Sequence, residues 1–239
     1  MLAIIDADSY IYVGCSKAEK DGVNSAQNYV DKVITQAIND TEATSYICVI
    51  GKESFRRNKL SGVKSIYKAQ RGNKPSYYEE MFEYIRERWN AYEAKVIETD
   101  DVCSVLQYEL RHLDPIVISP DKDLRQYSGK FYDSKKRLFE ELSFKQANYN
   151  FWKQMLTGDV ADNVKGISGI GQKKAANILD NSFPSEVFDV YVNHFGEEAV
   201  NIFWSNMYYL SLLRSYTQAD DYGVNLREIK PQEWTYLAK

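Results

Sequence analysis

The stretch LAIIDAD, residues 2–8, runs a short apolar, β-branched segment directly into two aspartates, Asp6 and Asp8. The arrangement recurs: KVI precedes Glu98, Asp100 and Asp101, and IVIS precedes Asp121 and Asp123. Apolar runs of this kind read as buried strands, and SYICVI at 45–50 supplies one more. Between them the apolar spacing is helical, with Tyr29, Val33, Ile34, Ala37 and Ile38 on one stretch and Val102, Val105, Leu106, Leu110 and Leu113 on another. Strands alternating with helices predict an α/β fold with a central, mostly parallel sheet and right-handed crossovers. Ligands of such sheets collect at the carboxyl ends of the strands. Three separate segments are therefore expected to deliver carboxylates to one rim.

The chain has 239 residues, 44% hydrophobic and 27% charged, proportions that exclude a disordered or low-complexity protein. Its three cysteines, Cys15, Cys48 and Cys103, are widely spaced and form no CxxC, so neither a disulfide framework nor a thiolate zinc site is indicated. A cytoplasmic location is the expectation, because MLAIIDADSY carries no basic leader of a secretory signal. The charge-free stretch from Ala199 to Leu213 contains Asn201, Ser205, Asn206 and Ser211 and falls short of the ~20 residues that span a bilayer. It reads as a buried helix, and no membrane partner is expected. A net charge of −4 gives no reason by itself to suspect nucleic acid. The distribution differs: between Lys52 and Lys74 lie Arg56, Arg57, Lys59, Lys64, Lys68 and Arg71, with Glu53 the only acid. That run reads either as a solvated surface or as a patch for phosphates.

QMLTGDVADNVKGISGIGQKKAANIL, residues 154–179, joins two more acids, Asp159 and Asp162, to a turn punctuated by Gly166, Gly169 and Gly171. The turn opens a helix carrying Lys173 and Lys174. Glycines permit close backbone approach there, and the free N–H groups of the helix start face outward toward a phosphate. This is a helix–hairpin–helix signature. Pro184 with Ser185 opens a further helix, while the tail from Ser215 to Lys239 shows little periodicity and has no assigned element.

Nine acids on one rim repel one another, and a divalent cation removes the problem. Oxygen ligands without His or Cys favour Mg²⁺ or Mn²⁺ over zinc. Two such ions about 4 Å apart clamp the attacking and leaving oxygens of a phosphodiester. Each motif also has an ordinary reading. ETDD at 98–101 serves equally as a helix start, with Thr99 as N-cap. PDKD at 120–123 serves as a solvated turn. Their joint occurrence in this order carries the weight.

With these residues assembled, the chain resembles the 5′-nuclease superfamily: flap endonucleases, the 5′-nuclease domain of bacterial DNA polymerase I, and phage 5′→3′ exonucleases, above all those of small tailed phages. The resemblance rests on IIDAD at 4–8, YKAQR at 67–71, ETDD at 98–101, SPDKD at 119–123 and TGDVADNVKGISGIGQKKA at 157–175. It implies a PIN-like 5′-nuclease fold, with an α/β domain over residues 1–150 that includes a helical arch at about 72–95. Residues 151–239 become a helix–hairpin–helix (H3TH) lobe with C-terminal helices. It implies metal ligation by Asp6, Glu98, Asp100 and Asp121 at one ion and by Asp101, Asp123, Asp159 and Asp162 at a second, with Asp8 in the same set. Lys68 and Arg71, on one helical face, become the catalytic basic pair at the base of the arch. DNA contacts are implied for Tyr67, Gly166, Gly169, Gly171, Lys173 and Lys174, with a K⁺ ion bound by carbonyls of the hairpin turn.

One position departs from the family pattern. An aspartate usually follows the second strand, and Gly51 stands there instead. Asp8 or Glu53 substitutes for it, or turnover is reduced, or the sequence is an engineered inactive form. The resemblance implies a Mg²⁺-dependent, structure-specific 5′-nuclease of phage DNA replication or primer removal, monomeric and acting on DNA with a free 5′ end, flap or nick. The alternatives are a 5′→3′ exonuclease on RNA–DNA hybrids and a junction-binding protein with an impaired site.

Overall fold

The computed structural model describes residues 1–58, 67–70, 72–181 and 186–234. From the N-terminus, strand β1 (Leu2–Asp6) leads into helices α1 (Asp8–Asp21) and α2 (Val23–Asp40), then strand β2 (Ser45–Gly51) and the short helix α3 (Phe55–Asn58). Helix α4 (Tyr78–Arg88), strand β3 (Tyr92–Ala94), helix α5 (Thr99–Glu109) and strand β4 (Pro115–Ile118) follow. Strands β5 (Gly129–Asp133) and β6 (Leu138–Leu142) complete the main body. The C-terminal part comprises α6 (Phe144–Thr157), the ribbon β7 (Gly158–Asp159) and β8 (Val164–Lys165), α7 (Gln172–Asn181), α8 (Val187–Phe195), α9 (Ala199–Leu210), α10 (Tyr216–Asp220) and β9 (Gln232–Glu233).

The sheet runs β3-β2-β1-β4-β5-β6, with β9 added to β2. The ladders from β3 through β5 are parallel, and β6 and β9 run antiparallel. β1 lies at the centre, with Asp6 level with Val49 on one side and Ile5 level with Ile118 on the other. The ends of β1, β2 and β4 therefore open on the same rim, as the alternation of apolar runs and acids predicts.

Successive strand residues point to opposite faces, and both faces are covered. Ala3 and Ile5 pack with Ile11, Val30, Ile34 and Phe82 under α1, α2 and α4. Leu2 and Ile4 pack with Val102, Val105 and Leu106 of α5 and with Leu212, Leu213 and Leu226 beyond it. A third cluster, built around Phe151, Met155, Tyr191 and Phe203, holds α6 to α9 together.

Three expectations are corrected. KVI is not the third strand. The ladder of β2 selects Tyr92–Ala94 instead, and the chain then turns at Val96, which has φ 72° and donates its N–H to Glu53 at 3.2 Å. An edge strand has no need of a continuous apolar run. The stretch assigned to an arch contains α4, whose Tyr78, Met81, Phe82 and Ile85 are buried against the sheet's cover layer. From Tyr78 onward it is a wall of the domain. The helix at 199–210 buries only one face, and Trp204 on the other is 61% exposed.

The tail also finds a place. Trp234 stacks at 5.8 Å on Trp89 and edge-on at 5.9 Å to Tyr46, and its indole N–H donates to Asn39 at 3.1 Å. Its backbone N–H donates to the carbonyl of Thr44 at 2.9 Å, so the tail straps the open edge of β2. Trp234→Ala removes two aromatic contacts and one hydrogen bond, for an expected loss of about 2 kcal/mol in urea unfolding. An unchanged midpoint would show that the strap adds nothing.

Candidate active site

The rim is assembled by hydrogen bonds between strand ends. Asp6, the last residue of β1, accepts from the Ser119 hydroxyl at 2.7 Å, and Ser119 follows β4. The same hydroxyl accepts from the Asp121 N–H at 3.0 Å, and Asp121 accepts from the Asp123 N–H at 2.9 Å. Asp8 opens α1 and turns its carboxylate across the rim. It accepts from the Gly51 N–H at 2.9 Å and from the Thr99 hydroxyl at 2.9 Å. A Cβ at Gly51 meets the Thr99 hydroxyl oxygen at 2.6 Å. The space beside position 51 is thus taken by Thr99, and the carboxylate next to it comes from Asp8. Glu53, the other possible substitute, bonds the Val96 N–H and is exposed.

The acids of α5 divide by helical position. Glu98 is the N-cap, with Asp101 at N3 closing a reciprocal capping box. The ordinary reading of ETDD as a helix start is thus also met, with Glu98 rather than Thr99 as the cap. Asp101 is 0% exposed and fully engaged. It takes a bidentate pair from the Arg56 guanidinium at 2.6 and 2.8 Å and the Leu213 N–H at 2.9 Å. Arg56 also donates to Glu98 at 2.6 Å and to the carbonyls of Tyr208 (3.3 Å) and Ser211 (2.6 Å). Among the described residues, Glu98, Asp100 and Asp101 place one oxygen each within 4.8 Å of one another.

Asp6, Asp8, Glu98, Asp100, Asp121 and Lys68 line one cavity of about 400 Å³. Lys68 donates to Glu98 and stands 3.6 Å from Asp162, and its backbone N–H donates to the Asp162 carbonyl at 2.9 Å. It sits in a turn with φ 54°, not on the helical face that the sequence spacing suggests. Its contacts to Glu98 and Asp162 fix that turn. Arg71 lies outside the described residues. Tyr67, implied as a DNA contact, is 3% exposed. Its ring stacks on Tyr209 at 5.3 Å and its hydroxyl donates to Glu98 at 3.2 Å, so it braces that carboxylate from within.

Asp123 and Asp159 form a neighbouring pair. Gln154 donates to Asp123 at 2.8 Å and to Asp159 at 3.0 Å, and Lys122 donates to both, at 3.0 Å to Asp123. The other Asp159 oxygen accepts the N–H groups of Ala161 (2.7 Å) and Asp162 (3.1 Å). Sequence reasoning missed Arg56, Lys122 and Gln154 as supports of the site. The three-residue offset of Glu98 and Asp101 is a capping-box signal that marks Asp101 as already occupied.

Burial, reinforced by the charge of Asp8, raises Asp6 to about 7. Burial raises Asp8 to about 6. Asp100 is pushed well up by burial and by Glu98, Asp121 is raised mainly by burial, and burial together with Asp121 takes Asp123 to about 6. Burial alone favours a neutral Glu98, but Lys68 and Arg56 outweigh it and hold Glu98 below the ordinary range. Among the described residues, no salt bridge reaches Asp6, Asp8, Asp100 or Asp121. The donor set is all carboxylate with no imidazole or thiolate among it, which suits a hard divalent cation that keeps some of its waters.

Next to the acids, α6 turns through β7 and β8 into α7. Gly158, at φ 70°, and Gly166 approach so closely that a Cβ on Gly166 lies 2.2 Å from the Thr157 carbonyl carbon. Gly166, implied as a DNA contact, is thus needed for backbone crossing. Ile167 and Ile170 bury the hairpin in the third cluster, which leaves Gly169, Gly171, Lys173 and Lys174 exposed. No atom lies within 4 Å of a Cβ at Gly169 or Gly171, so the backbone there is open to a ligand.

No family model matches the chain. In sequence it is similar to DNA polymerase I of Caldicellulosiruptor bescii, 25% identical over 221 residues covering 80% of this chain and 25% of that protein. It is also similar to a 5′-3′ exonuclease of Mycoplasmopsis pulmonis, 31% identical over 131 residues covering 48% of this chain and 44% of that one. The chain thus spans about a quarter and less than half of those relatives' lengths. In structure it is similar to the D15 protein of T5 co-crystallised with metal ions, with a TM-score of 0.67 and 18% identity over 87% of this chain and 88% of that one. The catalytic core of Rad2 in complex with a DNA substrate aligns with a TM-score of 0.52 and 14% identity over 98% and 83% of the two chains. The fold is the one shared by these nucleases. In fold the chain is thus similar to these nucleases, and in sequence to parts of DNA polymerase I and of a 5′-3′ exonuclease.

Two expectations follow from the geometry. Gly166→Ala forces backbone apart and costs about 3 kcal/mol in urea unfolding, whereas Gly171→Ala changes stability by less than about 1 kcal/mol; equal effects would contradict the close crossing. For pH, Asp6 and Asp8 titrate in the folded chain at about 7 and 6, above the ordinary 3.8. Their contribution to stability is complete below about pH 4 and is lost as pH rises through 6 to 7. The metal-free melting temperature should fall by on the order of 5 °C between pH 5 and 8, and Mg²⁺ should restore most of it at pH 8. No response to Mg²⁺ at pH 8 would count against a cation site.

Proposed function

We propose that this chain is a divalent-metal-dependent 5′-nuclease that hydrolyses DNA phosphodiesters near single-strand/duplex junctions, in replication, primer removal or phage genome processing. The observation that carries the reading is the meeting of Asp6, Asp8, Glu98, Asp100 and Asp121 with Lys68 around one cavity at the strand ends. Asp6, Glu98, Asp100 and Asp121 would hold the first cation, and Asp123, Asp159 and Asp162 the second. Mg²⁺ is the expected ion and Mn²⁺ its substitute; such ions polarise a phosphate oxygen and bring water to neutral-pH reactivity.

The chain's own residues have separable tasks. Asp8, anchored by Gly51 and Thr99, supplies the carboxylate that the glycine at 51 cannot. Arg56 and Tyr67 fix Glu98 from behind. Lys68, buried among Glu98 and Asp162, is positioned to donate to a phosphate oxygen as negative charge builds on it. The basic segment between Lys52 and Lys74 would guide a 5′ strand end into the cavity by phosphate attraction. The exposed turn at Gly169 and Gly171, with Lys173 and Lys174 behind it, would grip duplex backbone, with a K⁺ ion at the hairpin carbonyls.

The test is a panel of 5′-labelled flap, nicked, blunt and RNA–DNA hybrid substrates with Mg²⁺ and, for binding alone, Ca²⁺. Flap and nicked DNA should be cut, and preferential cutting of the hybrid would reassign the substrate. Asp121→Ala should abolish cleavage and leave junction binding within about threefold, because phosphate contacts elsewhere supply the affinity. Lys68→Ala should lower the single-turnover rate by about 10²–10³. Tight junction binding without cleavage in Mg²⁺ or Mn²⁺ would leave a binding protein instead.

A further inference from the structure

We propose that Lys122 is a tethered counter-ion that occupies the Asp123–Asp159 pair and competes with a divalent cation for it, setting the cation concentration at which the second site fills. The inference rests on the metal-dependent reading above and assigns a role that reading leaves open. The Lys122 ammonium donates to Asp159 and, at 3.0 Å, to Asp123. It reaches the same two oxygens that Gln154 bridges at 2.8 and 3.0 Å. One amide and one ammonium thus converge on a single pair of acceptors.

The two sides of this contact differ in freedom. The Asp159 side chain is 2% exposed, whereas that of Lys122 is 67% exposed. Asp159 keeps its orientation without the lysine, because its other oxygen is fixed by the N–H groups of Ala161 and Asp162. Asp123 is likewise held through Gln154 and through its own N–H on Asp121. The carboxylates therefore stay in place while the ammonium exchanges into water at little desolvation cost. A divalent ion brings twice the charge. Lys68 differs: its side chain is buried between Glu98 and Asp162, so leaving means moving the turn that carries it.

Competition of this kind lowers the apparent cation affinity by the strength of the contact to be broken. For an exposed lysine that is about two- to fivefold. The contact also keeps a neighbour of the first site from carrying uncompensated charge when no second cation is bound.

The experiment titrates Mn²⁺ into the DNA-free chain, following free Mn²⁺ by electron paramagnetic resonance, for the unmodified protein, Lys122→Met and Lys122→Arg. Lys122→Met should tighten the weaker class of Mn²⁺ sites by about two- to fivefold and leave the tighter class unchanged, while Lys122→Arg retains the weaker affinity. An unchanged or weakened second class in Lys122→Met, or an equal shift in both variants, overturns the proposal. Loss of flap-DNA binding with unchanged Mn²⁺ affinity would make Lys122 a phosphate contact instead. Absence of any Mn²⁺ binding to the unmodified protein would overturn the metal-dependent reading itself, a result distinct from the others.

Discussion

Carboxylates buried side by side raise one another's proton affinity, and the chain has to hold them together against that repulsion. The fold does so with two buried cations and a frame of hydrogen bonds. Arg56 neutralises Asp101 and half of Glu98, and Lys68 takes the other half. Backbone and hydroxyl donors from Gly51, Thr99 and Ser119 orient Asp8 and Asp6. Among the described residues no salt bridge reaches Asp6, Asp8, Asp100 or Asp121, and burial moves all four upward. Among the described residues the site is pre-formed and short of positive charge, a combination that a hard divalent ion completes.

The same guanidinium ties the rim to the C-terminal segment. Arg56 reaches the carbonyls of Tyr208 and Ser211, the Ser104 hydroxyl donates to the carbonyl of Leu213 at 2.7 Å, and the Tyr127 hydroxyl donates to that of Leu212 at 2.7 Å. The segment after α9 is stapled beneath α5, whose N-terminus carries Glu98 and Asp100. The helices bearing the exposed glycine turn and the rim bearing the acids are therefore linked through one network rather than through a free linker.

The ends of β1 and β4 were legible in sequence because an apolar run followed by an acid is a local pattern and both show it, whereas β2 ends on Gly51 and was legible from its apolar run alone. β3 escaped because Tyr92-Glu93-Ala94 is an edge strand chosen by its pairing with β2, not by its own hydrophobicity. Arg56 was hidden in a basic run: its partners lie 42, 45 and 155 positions away, and no local spacing records that. Asp101 looked like its neighbours in ETDD, although a helix N-cap turns N3 back toward the cap. Trp234 had no periodicity to announce it, since two aromatic contacts and one short ladder are enough to hold a tail.

The account stands on cations bridging acids that are distant in sequence. Its most direct measurement is anomalous diffraction from crystals of this chain grown with Mn²⁺. One ion should appear in the cavity bounded by Asp6, Glu98, Asp100 and Asp121, and a second beside Asp123 and Asp159 with the Lys122 side chain displaced toward solvent. Manganese peaks confined to surface acids outside the cavity, or none at all, would contradict it.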